Sequence, residues 1–460
     1  MEHHTSPTPQ SKITFHHSTF PIHARTVSGR LNTLRWLCVW LTQLVFYGAC
    51  WIQWKAVDGH SRQAVLFDIS NQKIYFFDLV LWPQDAFLVA ILLIFSAISL
   101  FLVTALVGRV FCGFVCPQTV YSSIFSWIES RIEGDYRTRR KNTQRPPSFA
   151  KLQRKIFKHI IWGIISLWSG ITFIGYFTPI RDVPQNLLNG SLGMWSMFWF
   201  IFYAVFMYVQ AGLARNAVCQ HMCPYSRFQG VMVDLTTRNV SYDNQRGEPR
   251  KRLSLQNKDA TQCIDCRICV QVCPAGIDIR DGLQYECINC GLCIDACNMV
   301  MRKIKAPVGL IRFMSEQELT GIRPNLRFSQ RPRIMIYALL LAGLLLLGLW
   351  TITSRPPLHA DVLRDRGALY RETSDGEIEN AYTLKLRNLT SHPQSIDILL
   401  EQQPEYRLLG PSNVTLPPGD VVLLPMTVRA QQSSTGTTPL VFNFKTMVGI
   451  QREASTFVMP

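Results

Sequence analysis

Five stretches of this chain are long and apolar enough to cross a bilayer, and none of them holds an acidic or basic side chain. They cover residues 36–54, 86–107, 160–180, 192–214 and 334–353. A spanning helix needs about 20 such residues, and a buried helix of a soluble domain seldom stays charge-free for so long. The expected class is therefore an α-helical polytopic membrane protein with five transmembrane helices. Trp and Tyr crowd the ends of the first and fourth stretches, as interfacial belts do.

The charges between the spans orient them. Residues 108–158 carry eleven Lys and Arg against three acids, and residues 215–333 carry eighteen against eleven. Residues 55–85 carry three against four. The positive-inside rule then places the N-terminus and both basic segments in the cytoplasm, and the C-terminus in the periplasm. The formal net charge of +16 thus reads as a topological signal, and a nucleic-acid role is excluded. The polar first 30 residues, with His3, His4, His16 and His17, read as a loose tail.

All fourteen cysteines lie between Cys38 and Cys297. Eight of them form a doubled run, CIDCRICVQVCP and CINCGLCIDACN. Three thiolates at steps of three residues can wrap three corners of one iron–sulfur cubane, and the fourth then reaches the other cluster. By that cross-ligation Cys263, Cys266, Cys269 and Cys297 hold one [4Fe–4S] centre, and Cys287, Cys290, Cys293 and Cys273 hold the second. Structural zinc uses four ligands, usually two separated pairs, and the run is over-supplied for it. Asn298 stands where the first run has Pro274, which bears on loop geometry and not on a ligand.

Two further pairs, Cys112 with Cys116 and Cys219 with Cys223, each end in proline at a span boundary on the cytoplasmic side. On a helix, residues four apart share a face, and Pro117 and Pro224 end or kink the helix there. Three readings stand side by side: small buried packing residues, dithiol/disulfide couples, or ligands of a soft metal ion such as Cu(I), zinc or iron. His221 is a candidate extra ligand, and Cys38 and Cys50 read as packing. Beyond the last span, alternating segments separated by Gly, Pro, Ser and Asn predict six or seven strands of an immunoglobulin-like β-sandwich.

The stretch from WPQDAFLVAILL through RVFCGFVCPQTVYSSIFSWIESRIEGD resembles the accessory proteins of cbb3-type cytochrome c oxidase, the CcoG/FixG/RdxA family. So do CQHMCPYSRFQG, the doubled cysteine run and VLRDRGALYRETSDGEIENAYTLKLRN. The resemblance implies a membrane polyferredoxin of the bacterial inner membrane that reduces Cu(II) to Cu(I) for the oxidase copper centre. It implies the oxidase and copper-delivery proteins as partners, and it carries the family's membrane pairs onto Cys112, Cys116, Cys219 and Cys223 as catalytic and copper-holding residues. A cytoplasmic electron donor and the lipid bilayer complete the partners, with a homodimer left open.

The expected division is a cytoplasmic tail over 1–30, a four-helix region over 31–225, a two-cluster ferredoxin-type domain over 226–330, a fifth helix over 331–354 and a periplasmic immunoglobulin-like domain over 355–460. Two alternatives belong to other classes: a quinol-oxidising membrane ferredoxin and a non-catalytic copper-holding scaffold. No charged or histidine residue lies inside a span to accept a quinol proton, which counts against the first.

Overall fold

The computed structural model describes residues 24–55, 61–146, 148–250, 262–322, 331–365, 367, 369–390, 392–401, 405–431, 436–447 and 449–460. The expected loose tail therefore falls, up to residue 23, outside the described residues. The chain divides into two units. One comprises Met1–Thr42, Leu100–Ser166 and Val205–Tyr337, the other Gln43–Ser99, Leu167–Ala204 and Ala338–Pro460.

Fourteen helices run through the described residues. They are α1 (Arg30–Gly48), α2 (Ala86–Val107), α3 (Val110–Phe114), α4 (Pro117–Ile132), α5 (Tyr136–Gln144), α6 (Phe149–Ile174) and α7 (Asp182–Leu188). There follow α8 (Met194–Met207), α9 (Pro224–Met232), α10 (Asn244–Gly247), α11 (Ile268–Val272), α12 (Leu292–Lys303), α13 (Glu316–Leu319) and α14 (Pro332–Thr353). Four segments are long and apolar enough to cross a membrane: Ala86–Val107, Phe149–Ile174, Met194–Ala214 and Pro332–Thr353.

The first expected span differs most and is not among these four. Its helix begins at Arg30 and ends at Gly48, followed by a 3-10 turn at Ala49–Trp51 and a strand at Gln53–Lys55. Shifting the helix toward the N-terminus brings in Arg30 and Arg35, which shortens its apolar part. The third also shifts, because α6 starts at Phe149 and takes in Lys158 and His159 on the same helix. The polar groups that seemed absent from that span lie one turn before it.

The first unit holds every cysteine of the doubled run. Strand Asn239–Tyr242 pairs antiparallel with Ile311–Met314, so the segment between them starts and finishes at one place. The two cysteine runs lie within it, and α11 and α12 each follow the second cysteine of a run. Their lengths differ for a reason visible in the sequence. Pro274 disfavours helix at Cys273, whose ψ is 119°, and α11 stops at Val272. With Asn298 at the matching place, α12 continues to Lys303, and the Asn298 Oδ1 accepts a hydrogen bond from the Gly309 amide at 2.8 Å.

The second unit holds the C-terminal sandwich, with nine strands where six or seven are expected. One sheet runs Tyr406–Leu409, Val421–Gln431, Glu377–Asn388, Leu358–Arg364, with Arg371–Glu372 added on Glu377–Asn388. The other runs Asn413–Leu416, Gln394–Leu400, Gly436–Lys445, Ile450–Met459. Period-two alternation sends Tyr382, Leu384 and Leu386 inward from one sheet and Leu440, Phe442 and Phe444 from the other, all fully buried.

Candidate redox site

The two cysteine runs share one backbone device. Asp265 and Arg267 in the first run, and Asn289 and Gly291 in the second, all adopt positive φ, between 49° and 72°. Left-handed residues alternating with ordinary ones curl the chain, so that its thiols face inward and its amides make an anion-binding nest. Arg267 and Gly291 then cap the helices that carry Cys269 and Cys293. A non-glycine residue tolerates this conformation only with local support. Asp265 has it in Arg280, whose Nη1 lies 2.7 Å from its carboxylate, and Asn289 in hydrogen bonds to the Val240 amide and to Asn239 at 3.2 and 2.8 Å.

Two small cavities result. Cys263, Cys266, Cys269 and Cys297 wall one of them, together with Tyr242, Arg280 and Ile311. Cys273, Cys287, Cys290 and Cys293 wall the other, with Cys269 at its edge and Val240, Ile277 and Ile279 filling in. The fourth cysteine of each run therefore stands with the first three of the other run.

Burial pushes the Cys269, Cys273 and Cys297 thiols up to about 12 and that of Cys287 up to about 11. Neighbouring thiols add to the effect at Cys273 and Cys297. Crowded sulfurs in a largely aliphatic wall suit a group that takes them as thiolates and carries its own positive metal charge. The donor set, four sulfurs to each cavity, fits an iron–sulfur cubane.

The boundary cysteines do not share a helix face. Each motif is broken at its second cysteine, because the following proline forbids helix there. Cys112 lies in α3, whereas Cys116 has ψ 128° and caps α4, which Pro117 opens. Likewise Cys219 lies in a π-helical turn, Val218–Met222, and Cys223 has ψ 112° just before Pro224 opens α9. Burial pushes the Cys112 thiol up to about 12, with Cys116, Cys219 and Cys223 adding to it and Arg109 opposing. Burial also raises Cys116, against the amides of Gln118 and Thr119 at the start of α4. The four thiols are thus electrostatic neighbours. Among the described residues no three His, Cys, Asp or Glu side chains close in as the ligands of one metal ion. His221 is exposed, and Cys50 is fully buried.

Residues outside every motif join the two sets of cysteines. Gly113, inside the first pair, lies against the second run: a Cβ there would stand 2.7 Å from the Ile288 carbonyl oxygen and 2.8 Å from the Cys290 Cα. The Arg109 guanidinium donates to the carbonyls of Tyr285 and Ser226, and reaches that of Cys287 at 3.4 Å. It thereby ties the stretch before Cys112 to α9 and to the second cysteine run. Asn216, just before Cys219, donates to the Pro274 carbonyl. The sequence marked Arg109 by its place before the first pair, but nothing in it marks Gly113 or Asn216.

Comparison with known proteins gives three family matches. Residues 214–316 match a 4Fe-4S dicluster domain, residues 89–134 match a 4Fe-4S binding domain, and residues 348–460 match the IG-like fold at the C-terminal of FixG. The second of these holds Cys112 and Cys116. Protein RdxB of Cereibacter sphaeroides is 35% identical over 397 residues, 84% of this chain and 83% of that protein. Nitrogen fixation protein FixG of Rhizobium meliloti is 34% identical over 416 residues, 83% of this chain and 79% of that one. Ferredoxin-type protein NapH of Haemophilus influenzae matches less, at 25% identity over 42% of this chain and 57% of its own. Among solved structures, a FixG-related protein from Vibrio parahaemolyticus matches at 27% identity with TM-score 0.21, covering 22% of this chain and 96% of that one.

Proposed function

Since the chain belongs to the family of FixG, RdxA and RdxB, and so is an iron–sulfur electron-transfer protein, we propose that it is a multi-pass membrane protein reducing Cu(II) to Cu(I) during assembly of a cbb3-type oxidase. In this reading Cys263, Cys266, Cys269 and Cys297 hold one [4Fe–4S] cluster and Cys273, Cys287, Cys290 and Cys293 the other. The clusters supply one-electron storage and transfer. The observation that carries the reading is the contact of Gly113, between Cys112 and Cys116, with the Ile288–Cys290 backbone of the second cysteine run.

The chain's own residues divide the work. Arg109 fixes α3, α9 and the cluster loop to one another through carbonyls, so the electron path does not depend on a mobile contact. Cys112, Cys116, Cys219 and Cys223 present soft sulfur to the copper substrate, and sulfur favours Cu(I) over Cu(II). One electron converts one Cu(II) to one Cu(I), with the thiols released as copper leaves.

Five spans, counting α1, are part of the proposal. Leu37, Trp40, Leu41 and Leu44 on α1 are each more than 60% exposed, a face that suits lipid better than water. The excess of Lys and Arg over residues 108–158 and 215–333 supports a cytoplasmic ferredoxin domain and a periplasmic sandwich.

The test is the double variant Cys219→Ala, Cys223→Ala in anaerobically purified protein supplied with reduced methyl viologen. Copper reduction should be lost while cluster absorbance stays. Undiminished copper reduction would remove the pair from the mechanism.

A further inference from the structure

The first unit contains a cavity of about 1190 Å³, distinct from the two cysteine-walled cavities and with Cys219 in its lining. Ligand sites run to roughly 1,000 Å³, so it has room for a molecule of cofactor size. Six Lys and Arg side chains line it against two carboxylates, Glu129 and Asp135. Glu129 is already engaged, 2.6 Å from Arg215 and 3.6 Å from Arg139.

Two guanidiniums there have donors to spare. Arg139 is 3% exposed, and its Nη2 donates to the Ala24 carbonyl at 2.9 Å. Its Nε is buried and has no hydrogen-bond partner among the described residues. Arg35 donates through Nη2 to the Ser123 hydroxyl at 2.6 Å, and its buried Nε likewise has no partner among the described residues. A buried donor left unpaired is costly, and guanidinium forks match the oxygens of phosphate. Along α4, Thr119, Ser122, Ser126 and Ser130 line the cavity at helical spacing, which adds hydroxyls suited to a tetrahedral oxyanion.

We propose that this cavity binds a phosphate-bearing ligand of cofactor size, with the phosphate on Arg35 and Arg139. The ligand would lie against Cys219 and against Pro274, Ile288 and Leu292, which flank cysteines of the second cavity. The phosphate has two sources of equal chemistry: an anionic lipid headgroup, or a soluble phosphate-bearing cofactor. Basic pockets between spanning helices on the cytoplasmic side do bind such headgroups.

The experiment uses the full chain with its metal centres, in nanodiscs of phosphatidylcholine, titrated with inorganic pyrophosphate by calorimetry. Saturable one-to-one binding is expected, weakened at least tenfold by Arg139→Gln. Ser126→Glu, which leaves the Glu129 network intact and adds a negative charge to the wall, should weaken it as much. Iron content and circular dichroism establish that each variant is folded. In phosphatidylglycerol nanodiscs, loss of the pyrophosphate site identifies a headgroup as the occupant, and its retention identifies a soluble one. Absence of binding in phosphatidylcholine, or unchanged affinity in folded Ser126→Glu protein, overturns the proposal.

Discussion

Gly113 and Ile288 are 175 positions apart in the chain, yet any side chain at Gly113 would begin 2.7 Å from the Ile288 carbonyl oxygen. The obstacle is backbone, which cannot swing aside as a long side chain would. Gly113→Val should therefore displace the Cys287–Cys290 loop. The expected outcome is loss of about four iron atoms per chain, one cubane's worth, read by iron and sulfide analysis of anaerobic protein. Full iron content in the variant would mean that the loop yields without harm to the cluster.

Arg35 lies close enough to Cys290 and Cys273 to interact electrostatically with both, and its described partner is the neutral Ser123 hydroxyl. Arg280, beside the other cavity, is neutralised by Asp265 and Asp278 at 2.7 and 2.6 Å. An uncompensated cation favours the more negative, reduced cluster. Arg35→Gln should lower the reduction potential of one cluster and leave the other in place, as followed by an EPR-monitored potentiometric titration. Equal movement of both would contradict the assignment.

Glu129 is 4% exposed and meets Arg215, Arg139 and Lys158 at 2.6, 3.6 and 3.8 Å. Burial raises its carboxyl, but the three cations outweigh burial and hold it below the ordinary 4.5. The unfolded chain thus takes up this proton first. The stabilisation is complete above about pH 4.5 and is lost as pH falls through the lower folded value. Glu129→Gln strands the cations and should cost about 3–5 kcal/mol. Thermal unfolding at pH 7 measures the loss, and below the folded value the difference from the unaltered chain should shrink.

Asn298 stands inside α12, where its counterpart Pro274 lies beyond the end of α11. Asn298→Pro, although it restores the repeat in sequence, removes a helical amide and forces Cys297 out of helical conformation. It should cost about 3 kcal/mol and reduce iron retention in the cavity that Cys297 shares with Cys263. A variant as stable and as iron-rich as the parent would show that α12 can end five residues into its length.

Several features were legible from residue order because each depends on neighbours in the chain. Period two in Glu377–Asn388 is set by the pleat, and the charge-free stretch Ala86–Val107 by the need to satisfy amides within one segment. Each proline after a boundary cysteine predicted a break through its ring, and a break is found at Cys116 and at Cys223. What residue order misplaced were ends: Arg30 and Arg35 extend α1 one way while Gly48 closes it early, since the start of a helix is set partly by what it packs against.

Only the tertiary structure could show that Gly113 is small because Ile288 is there, or that Arg109 joins three segments far apart in sequence. It also decided that the buried Glu129 is shared by three cations around a cavity. These are relations across long chain separations, where no local preference applies and where a glycine or an arginine looks like any other until the chain brings its partner alongside.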